Sequence, residues 1–282
     1  MKQRAPIKRF GGKGNMLGKL LAYFPDPSSY DLFIDAYGGS GVVLLNKPYT
    51  KTEIFNDLDL NVYSLMATLA DPLLFGRFQR RAELVLYDEA TSTAYRGLIR
   101  NAGLPLDERA FAFWYLSRTR QGAGSGGFSI NTVVRRRMSK STSDFLGSVE
   151  GLPELHARLS SVIVTHRDAL ELIAAYDKPG TLIYLDPPYV HSTRGKHRYA
   201  VDADDDHHRK LVEVVNGLRH AMVVLSGYDN PIYADLRGFE KHSFMVKTVS
   251  GTGTAKRKTE CIWRNFAAGT MALPEMAVEV LA

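Results

Sequence analysis

Cysteine is nearly absent: Cys261 is the single thiol in 282 residues. That excludes an internal disulfide framework and a cysteine-rich zinc site, and it predicts a reducing, cytoplasmic setting. Cys261 stands beside Ile262 and Trp263, where it reads as core rather than as a nucleophile. No apolar run approaches the about 20 residues that cross a bilayer, so no membrane partner is expected. Nor does Met1-Lys2-Gln3-Arg4 lead into the apolar core of an export signal. Repeats and low-complexity tracts are missing as well. A hydrophobic fraction of 45% with 23% charged residues is that of a globular chain. The length suits one α/β core carrying an inserted or appended subdomain.

One sign of charge is also missing locally. From Arg109 to Ser143 there is no Asp or Glu, while Arg118, Arg120, Arg135, Arg136, Arg137 and Lys140 fall within that span. A run of one sign is either a solvated face or a footprint for a polyanion. Glycines 122, 124, 126 and 127 lie among these cations, and the overall charge is +6. A Gly-rich loop beside arginines favours contact with a phosphate backbone.

What is present has the order of a doubly wound sheet. Asp31 to Ala36 reads as a strand running into Tyr37-Gly38-Gly39-Ser40-Gly41, with a helix opening at Val42. Glu53 to Asp57 reads as a second strand ending in an acid, before a helical face of Val62, Leu65, Met66 and Leu69. Strand, glycine turn, helix and strand with a terminal acid is the opening of a nucleotide-binding sheet. The glycines do not fit the dinucleotide spacing G-x-G-x-x-G, which counts against a nicotinamide enzyme. Asp57 could accept from both hydroxyls of a ribose or cap the following helix. Residues 70–149 are predicted to form a mostly helical insertion with a mobile basic loop. The remaining strands are expected at 162–166, up to Asp186, at 222–226, and in a C-terminal pair at 242–249 and 259–266.

The most specific stretch is Leu182-Ile183-Tyr184-Leu185-Asp186-Pro187-Pro188-Tyr189. A buried strand ends there in an acid, two prolines and an aromatic ring. Proline has a fixed φ and no N–H, so the chain leaves the sheet stiffly extended. Such an exit presents one carboxylate, the Pro187 carbonyl and a flat ring at the sheet edge. These can hold a planar group that carries an amine. The exocyclic amine of adenine is a poor nucleophile because its lone pair is delocalised. Hydrogen bonds from its N–H groups to Asp186 and the Pro187 carbonyl would localise that pair as a methyl group arrives. Tyr189 would stack on a base extruded from the helix. A plain Pro-Pro turn would leave both Asp186 and Tyr189 without a role.

Phe10-Gly11-Gly12-Lys13, Tyr37-Gly38-Gly39-Ser40-Gly41, Asn56-Asp57 and Asp186-Pro187-Pro188-Tyr189 occur here in that order. In this the chain resembles the Dam-like, alpha-group DNA adenine N6-methyltransferases, which use S-adenosylmethionine. Ser226-Gly227 is similar to the family's Ser-Asn after a later strand, and Arg257 to Asn265, through Glu260, to its C-terminal strand. The likeness covers about residues 5–66 and 160–267.

The resemblance implies a mixed seven-stranded Rossmann-like sheet with helices on both faces. Residues 1–69 and 150–282 would be the catalytic domain and 70–149 the target-recognition subdomain. It further implies that Lys13 and the 37–41 turn hold the methionine part of the cofactor, Asp57 its ribose, and Asp168 the region of its adenine. Arg9 stands where the family has Trp, so that wall of the cofactor pocket is expected to be built differently. Ala36 replaces a usual proline. The implied activity is site-specific methylation of the N6 amine of a flipped adenine in duplex DNA, by a monomer or a homodimer, solitary or paired with a restriction enzyme. The same site chemistry would also serve RNA or the amine of cytosine, and a catalytically silent DNA-binding protein of this fold is the alternative of another class.

Two further segments carry chemistry-bearing residues. The loop from His191 to Tyr199 follows the tetrapeptide, and its Arg194 and Lys196 could clamp DNA. Asp204-Asp205-Asp206-His207-His208 has metal-ligand residue types, but acids at a helix start satisfy the helix dipole and the transfer needs no metal, so none is expected.

Overall fold

The structure, a computed structural model, describes residues 5–7, 13–121, 126–189, 204–249 and 255–267. A 3-10 turn over Lys13–Asn15 leads into α1 (Leu17–Leu21), followed by β1 (Leu32–Asp35), α2 (Val42–Asn46), β2 (Thr52–Asn56) and α3 (Leu60–Ala70). Next come α4 (Pro72–Leu84), α5 (Glu89–Leu98), α6 (Leu106–Thr119), the short strands β3 (Val134–Arg135) and β4 (Met138–Ser139), then α7 (Lys140–Glu150) and α8 (Leu152–Leu159). The chain continues through β5 (Val162–Thr165), α9 (Ala169–Ala175), β6 (Thr181–Leu185), α10 (Asp205–Gly217) and β7 (Met222–Tyr228). It closes with β8 (Glu240–Val249) and β9 (Ala255–Arg264).

Seven strands form one sheet in the order β5-β2-β1-β6-β7-β9-β8. The first five are parallel, and β9 runs antiparallel between β7 and β8. This is the mixed, seven-stranded Rossmann-like sheet that the resemblance implies. The order of connection reverses between β1 and β6, which pair with Asp35 opposite Tyr184. Chains leaving two neighbouring parallel strands in opposite directions open a crevice, and ligands of such sheets bind there. The glycine turn and the Asp-Pro-Pro-Tyr corner therefore flank one crevice.

Strand alternation divides the core. Phe33, Phe55, Leu182, Tyr184 and Val224 point to one face; Ile34, Ile54, Ile183, Leu185 and Val223 point to the other. The helical segment after α3 does not keep a core of its own. Phe75, Phe78, Phe111, Trp114, Tyr115 and Phe145 join the cluster that contains Phe33 and Phe55. Acids start the helices: Asp59 caps α3, Asp71 caps α4 ahead of Pro72, Asp88 caps α5, Asp168 caps α9 and Asp204 caps α10. Each accepts backbone N–H groups that the first turn leaves without partners.

The basic segment expected to be a loop is a hairpin in part. Val134 pairs with Ser139 and Arg135 with Met138, leaving Arg136 and Arg137 as the two-residue turn. Both have positive φ, 53° and 62°, the conformation of a type I′ turn. Asn-Gly is the ordinary signal for that turn, so two arginines concealed it.

Candidate active site

The turn after β1 is shaped by its glycines. Gly39 and Gly41 take left-handed φ values of 54° and 70°, open to glycine at no steric cost. A Cβ on Gly38 would lie 2.1 Å from the Phe55 ring. Phe55 is fully buried, so the turn sits directly on the second strand. The Gly38 N–H donates to Asn56 O across 2.8 Å. Asn56 also binds Ala36 O and Arg167 O through its amide nitrogen, and its amide oxygen accepts from the Arg167 N–H. One buried side chain thus ties the ends of β1, β2 and β5.

Asp57 accepts from the Gly39 N–H at 2.8 Å and from the Asp59 N–H at 2.8 Å. Since Asp59 caps α3, the helix-capping reading of Asp57 falls away, and its carboxylate faces the glycine turn. Asp35, at the end of β1, is 1% exposed. Its Oδ1 has no hydrogen-bond partner among the described residues. Burial raises its pKa well above the carboxylate range, and the negative charges of Asp186 and Asp57 raise it further. Tyr37 hydrogen-bonds His207 Nε2 at 2.8 Å, while Asp168 accepts from the N–H groups of Leu170 and Glu171. Burial raises the Tyr37 phenol well above its ordinary value, with Tyr233 and Asp168 adding to the shift.

These features fit S-adenosylmethionine, whose amino acid end carries an ammonium group and whose ribose offers two donors. Asp35 is a buried carboxyl group whose Oδ1 has no hydrogen-bond partner among the described residues, and an arriving ammonium group would offset the burial and favour its ionised form. Left-handed glycines give a backbone that a ligand can approach closely, and Asp57 beside them can accept from hydroxyls.

The tetrapeptide corner is held from several sides. Lys13 is almost fully buried, and its ammonium lies 2.8 Å from Asp186 Oδ1, 2.9 Å from Glu260 Oε1 and 3.0 Å from the Tyr189 hydroxyl. Burial alone would lower the Lys13 pKa, but Asp186, Tyr189 and Glu260 outweigh it and hold the group well above its ordinary value. Lys13 therefore meets the Asp186 corner, where the resemblance had assigned it to the methionine end of the cofactor. Ser226 donates to Asp186 Oδ1 at 3.3 Å and hydrogen-bonds the Tyr184 hydroxyl at 2.9 Å. The Tyr189 ring stacks on Tyr228 with centroids 4.0 Å apart and planes 16° apart. Behind the corner, fully buried His208 hydrogen-bonds the Tyr233 hydroxyl through Nδ1 at 2.8 Å.

Glu260, Tyr228, Asp35 and His208 were not singled out as site residues by sequence reasoning. A carboxylate within Glu260-Cys261-Ile262-Trp263, all buried, was a usable signal, because such a group needs a buried partner. The acid-and-histidine cluster has separate duties: Asp204 caps α10, Asp206 pairs with Arg209 at 2.8 Å, and the histidines bind Tyr37 and Tyr233.

The basic residues divide into two groups. Arg118 donates to the carbonyls of Ala5 and Pro6, and Arg120 is buried, with one guanidinium nitrogen 3.3 Å from the Ser92 hydroxyl. Both are turned into the fold. Arg135, Arg136 and Arg137 lie exposed on the hairpin, and Lys140 follows at the start of α7. Arg135 and Lys140 pair with Asp144, and Arg136 with Glu150. Ile130, Val133 and Val134 are exposed alongside. Arg9, Arg194 and Lys196 lie outside the described residues, as do Phe10, Gly11 and Gly12 of the N-terminal motif.

The sequence model of one protein family, described as D12 class N6 adenine-specific DNA methyltransferase, matches residues 10–244. No curated protein matches the chain. Among solved structures, a "putative RNA methyltransferase PH1948 from Pyrococcus horikoshii" aligns at 13% identity over 93% of this chain and 90% of that one, with a TM-score of 0.38. Among the described residues, no helix is long and apolar enough to cross a membrane.

Proposed function

Because the chain belongs to the D12 class N6 adenine-specific DNA methyltransferase family, we propose that its Asp186–Tyr189 corner methylates the N6 amine of an adenine turned out of duplex DNA. The observation that carries this reading is the position of Asp186. Its carboxylate sits at the switch point of the sheet, oriented by Lys13 and Ser226, across the crevice from the glycine turn.

S-adenosylmethionine, when bound, supplies an electrophilic methyl group on a sulfonium. Asp35, the 37–41 turn and Asp57 are the residues to hold it, with Tyr37 and Asp168 bordering the same end of the sheet. Asp186 and the Pro187 carbonyl accept the two amine N–H groups, so the N6 lone pair is drawn out of the ring and towards the methyl carbon. With the cofactor bound, the N6 lone pair would form the new N–C bond, and the electrons of the S–C bond would leave on the thioether sulfur. Positive charge grows on N6, where Asp186 stabilises it, and the amine then loses one proton to water. Tyr189 stacks on Tyr228, so an incoming base meets a pair of aromatic rings and joins or displaces that stack.

For the duplex, the hairpin and Lys140 supply cations on one exposed rim. Their ion pairs with Asp144 and Glu150 are solvent-exposed and worth at most about 1 kcal/mol each, so phosphates can replace the carboxylates. Arg118 and Arg120 leave the proposed contact set, since their guanidinium groups serve the interior. Incubating the protein with duplex DNA and S-adenosylmethionine, then digesting to nucleosides for mass spectrometry, is expected to yield N6-methyladenine; methylated cytosine alone would overturn the substrate assignment.

A further inference from the structure

Methyl transfer at Asp186 does not call for a second carboxylate in the sheet, yet Glu260 is there. It lies in β9, opposite Tyr228 on β7 and Phe244 on β8, and is 2% exposed. Buried acids persist when they are paired and hydrogen-bonded. Glu260 meets both conditions at the reacting corner: its Oε1 is 2.9 Å from Lys13 Nζ, and its Oε2 accepts from the Tyr189 hydroxyl at 3.5 Å. Lys13 stands between two carboxylates at nearly equal distance, 2.8 Å from Asp186 and 2.9 Å from Glu260.

The arrangement has an electrostatic consequence. An ammonium paired only with Asp186 would draw negative charge towards itself and away from the substrate amine. A second carboxylate in contact with the same ammonium offsets that pull. We propose that Glu260 is a positioning residue for methyl transfer: it balances Lys13 so that Asp186 keeps its strength as an acceptor, and it fixes Tyr189 through the phenol. This rests on the methyl-transfer reading above and adds a residue that the tetrapeptide does not contain.

The groups facing Glu260 are Lys13 from the N-terminal turn, Asp186 and Tyr189 from the corner, and Tyr228 from β7; Phe244 on β8 carries no charge. Burial raises the Glu260 pKa and Lys13 opposes the shift. Lowering the pH therefore neutralises Glu260 above the ordinary carboxylate range, and Lys13 then bears on Asp186 alone. The wild-type single-turnover rate should fall along an acid limb as this happens.

The test compares wild type, E260Q and E260D in single-turnover methylation of duplex DNA across pH, with calorimetric binding of S-adenosylhomocysteine and duplex measured separately. E260Q mimics the neutral acid at every pH. It should lose about tenfold or more in rate at neutral pH and lack that limb, while both affinities stay within about threefold of wild type. A merely structural role would lower the rate by one factor at all pH values and leave the limb in place; that result, or a wild-type rate in E260Q, overturns the proposal. If E260Q does not fold, E260D carries the test. It keeps the charge and should keep the limb with a shifted midpoint, whereas an unshifted midpoint assigns the limb to another group and overturns the proposal. A wild-type protein inactive at every pH would instead defeat the methyl-transfer reading itself.

Discussion

The Gly39 N–H donates to the Asp57 carboxylate across 2.8 Å, although the two residues belong to successive turns at the strand ends. The acid that follows β2 thus fixes the backbone of the turn after β1 before any ligand arrives. The Asp59 N–H holds the other carboxylate oxygen at 2.8 Å. Preorganisation of this kind lowers the ordering cost of binding.

Replacing Asp57 with Ala removes both hydrogen bonds, each worth about 1.5–3 kcal/mol when the acceptor is charged. S-adenosylhomocysteine affinity, measured by calorimetry, should fall by about tenfold or more, since 1.4 kcal/mol is one decade. The melting temperature should drop by several degrees. Asp57→Asn keeps an acceptor and should fall between Ala and wild type on both measures.

The hairpin tip sets stability against binding. Arg136 and Arg137 hold positive φ, which costs a side-chain-bearing residue roughly 1 kcal/mol or more. Asn-Gly at these positions suits the same turn. The double variant R136N/R137G should therefore raise the unfolding midpoint. It should also weaken duplex binding and reduce the salt dependence of log K by up to about 2 if both arginines meet phosphates. Binding isotherms at several salt concentrations check both parts.

This tip also marks where the sequence stopped being legible. Apolar runs over Asp31 to Ala36, over Glu53 to Asp57 and up to Asp186 announced parallel strands, because burial on both faces leaves a continuous apolar pattern. The glycine turn and the Pro-Pro exit were visible for the same local reason: each needs a special backbone. The type I′ turn needed one too, but it was made from arginines, and the positive φ had no residue to signal it. The inward direction of Arg118 and Arg120 was hidden as well. Their partners are carbonyls at Ala5 and Pro6 and a hydroxyl at Ser92, distant along the chain and carrying no charge pattern. Lys13 reached Glu260 by the same long-range closure, which only the sheet order brings about.

His208 should make stability depend on pH. Burial lowers its pKa to about 4, with His207 adding to the shift and the Pro188 carbonyl opposing it. The unfolded chain, with a histidine pKa of about 6.5, then binds a proton that the folded state refuses. Stability is full above that value and is lost as pH falls towards 4, by up to about 3 kcal/mol. Asn at position 208 can place its amide where Nδ1 meets Tyr233 and cannot titrate. Urea unfolding at pH 7 and pH 5 should show a smaller loss in His208→Asn than in wild type.

The proposed reaction depends on Asp186 as the acceptor for the adenine amine. The most direct test is a rapid-quench measurement of methyl transfer to duplex DNA by wild type and Asp186→Ala, with duplex affinity determined for both. Wild type should form N6-methyladenine in a single turnover. The variant should lose at least about three decades in rate, on the order of 4 kcal/mol of transition-state stabilisation, with duplex affinity kept. Methyl transfer by Asp186→Ala at the wild-type rate would contradict the account.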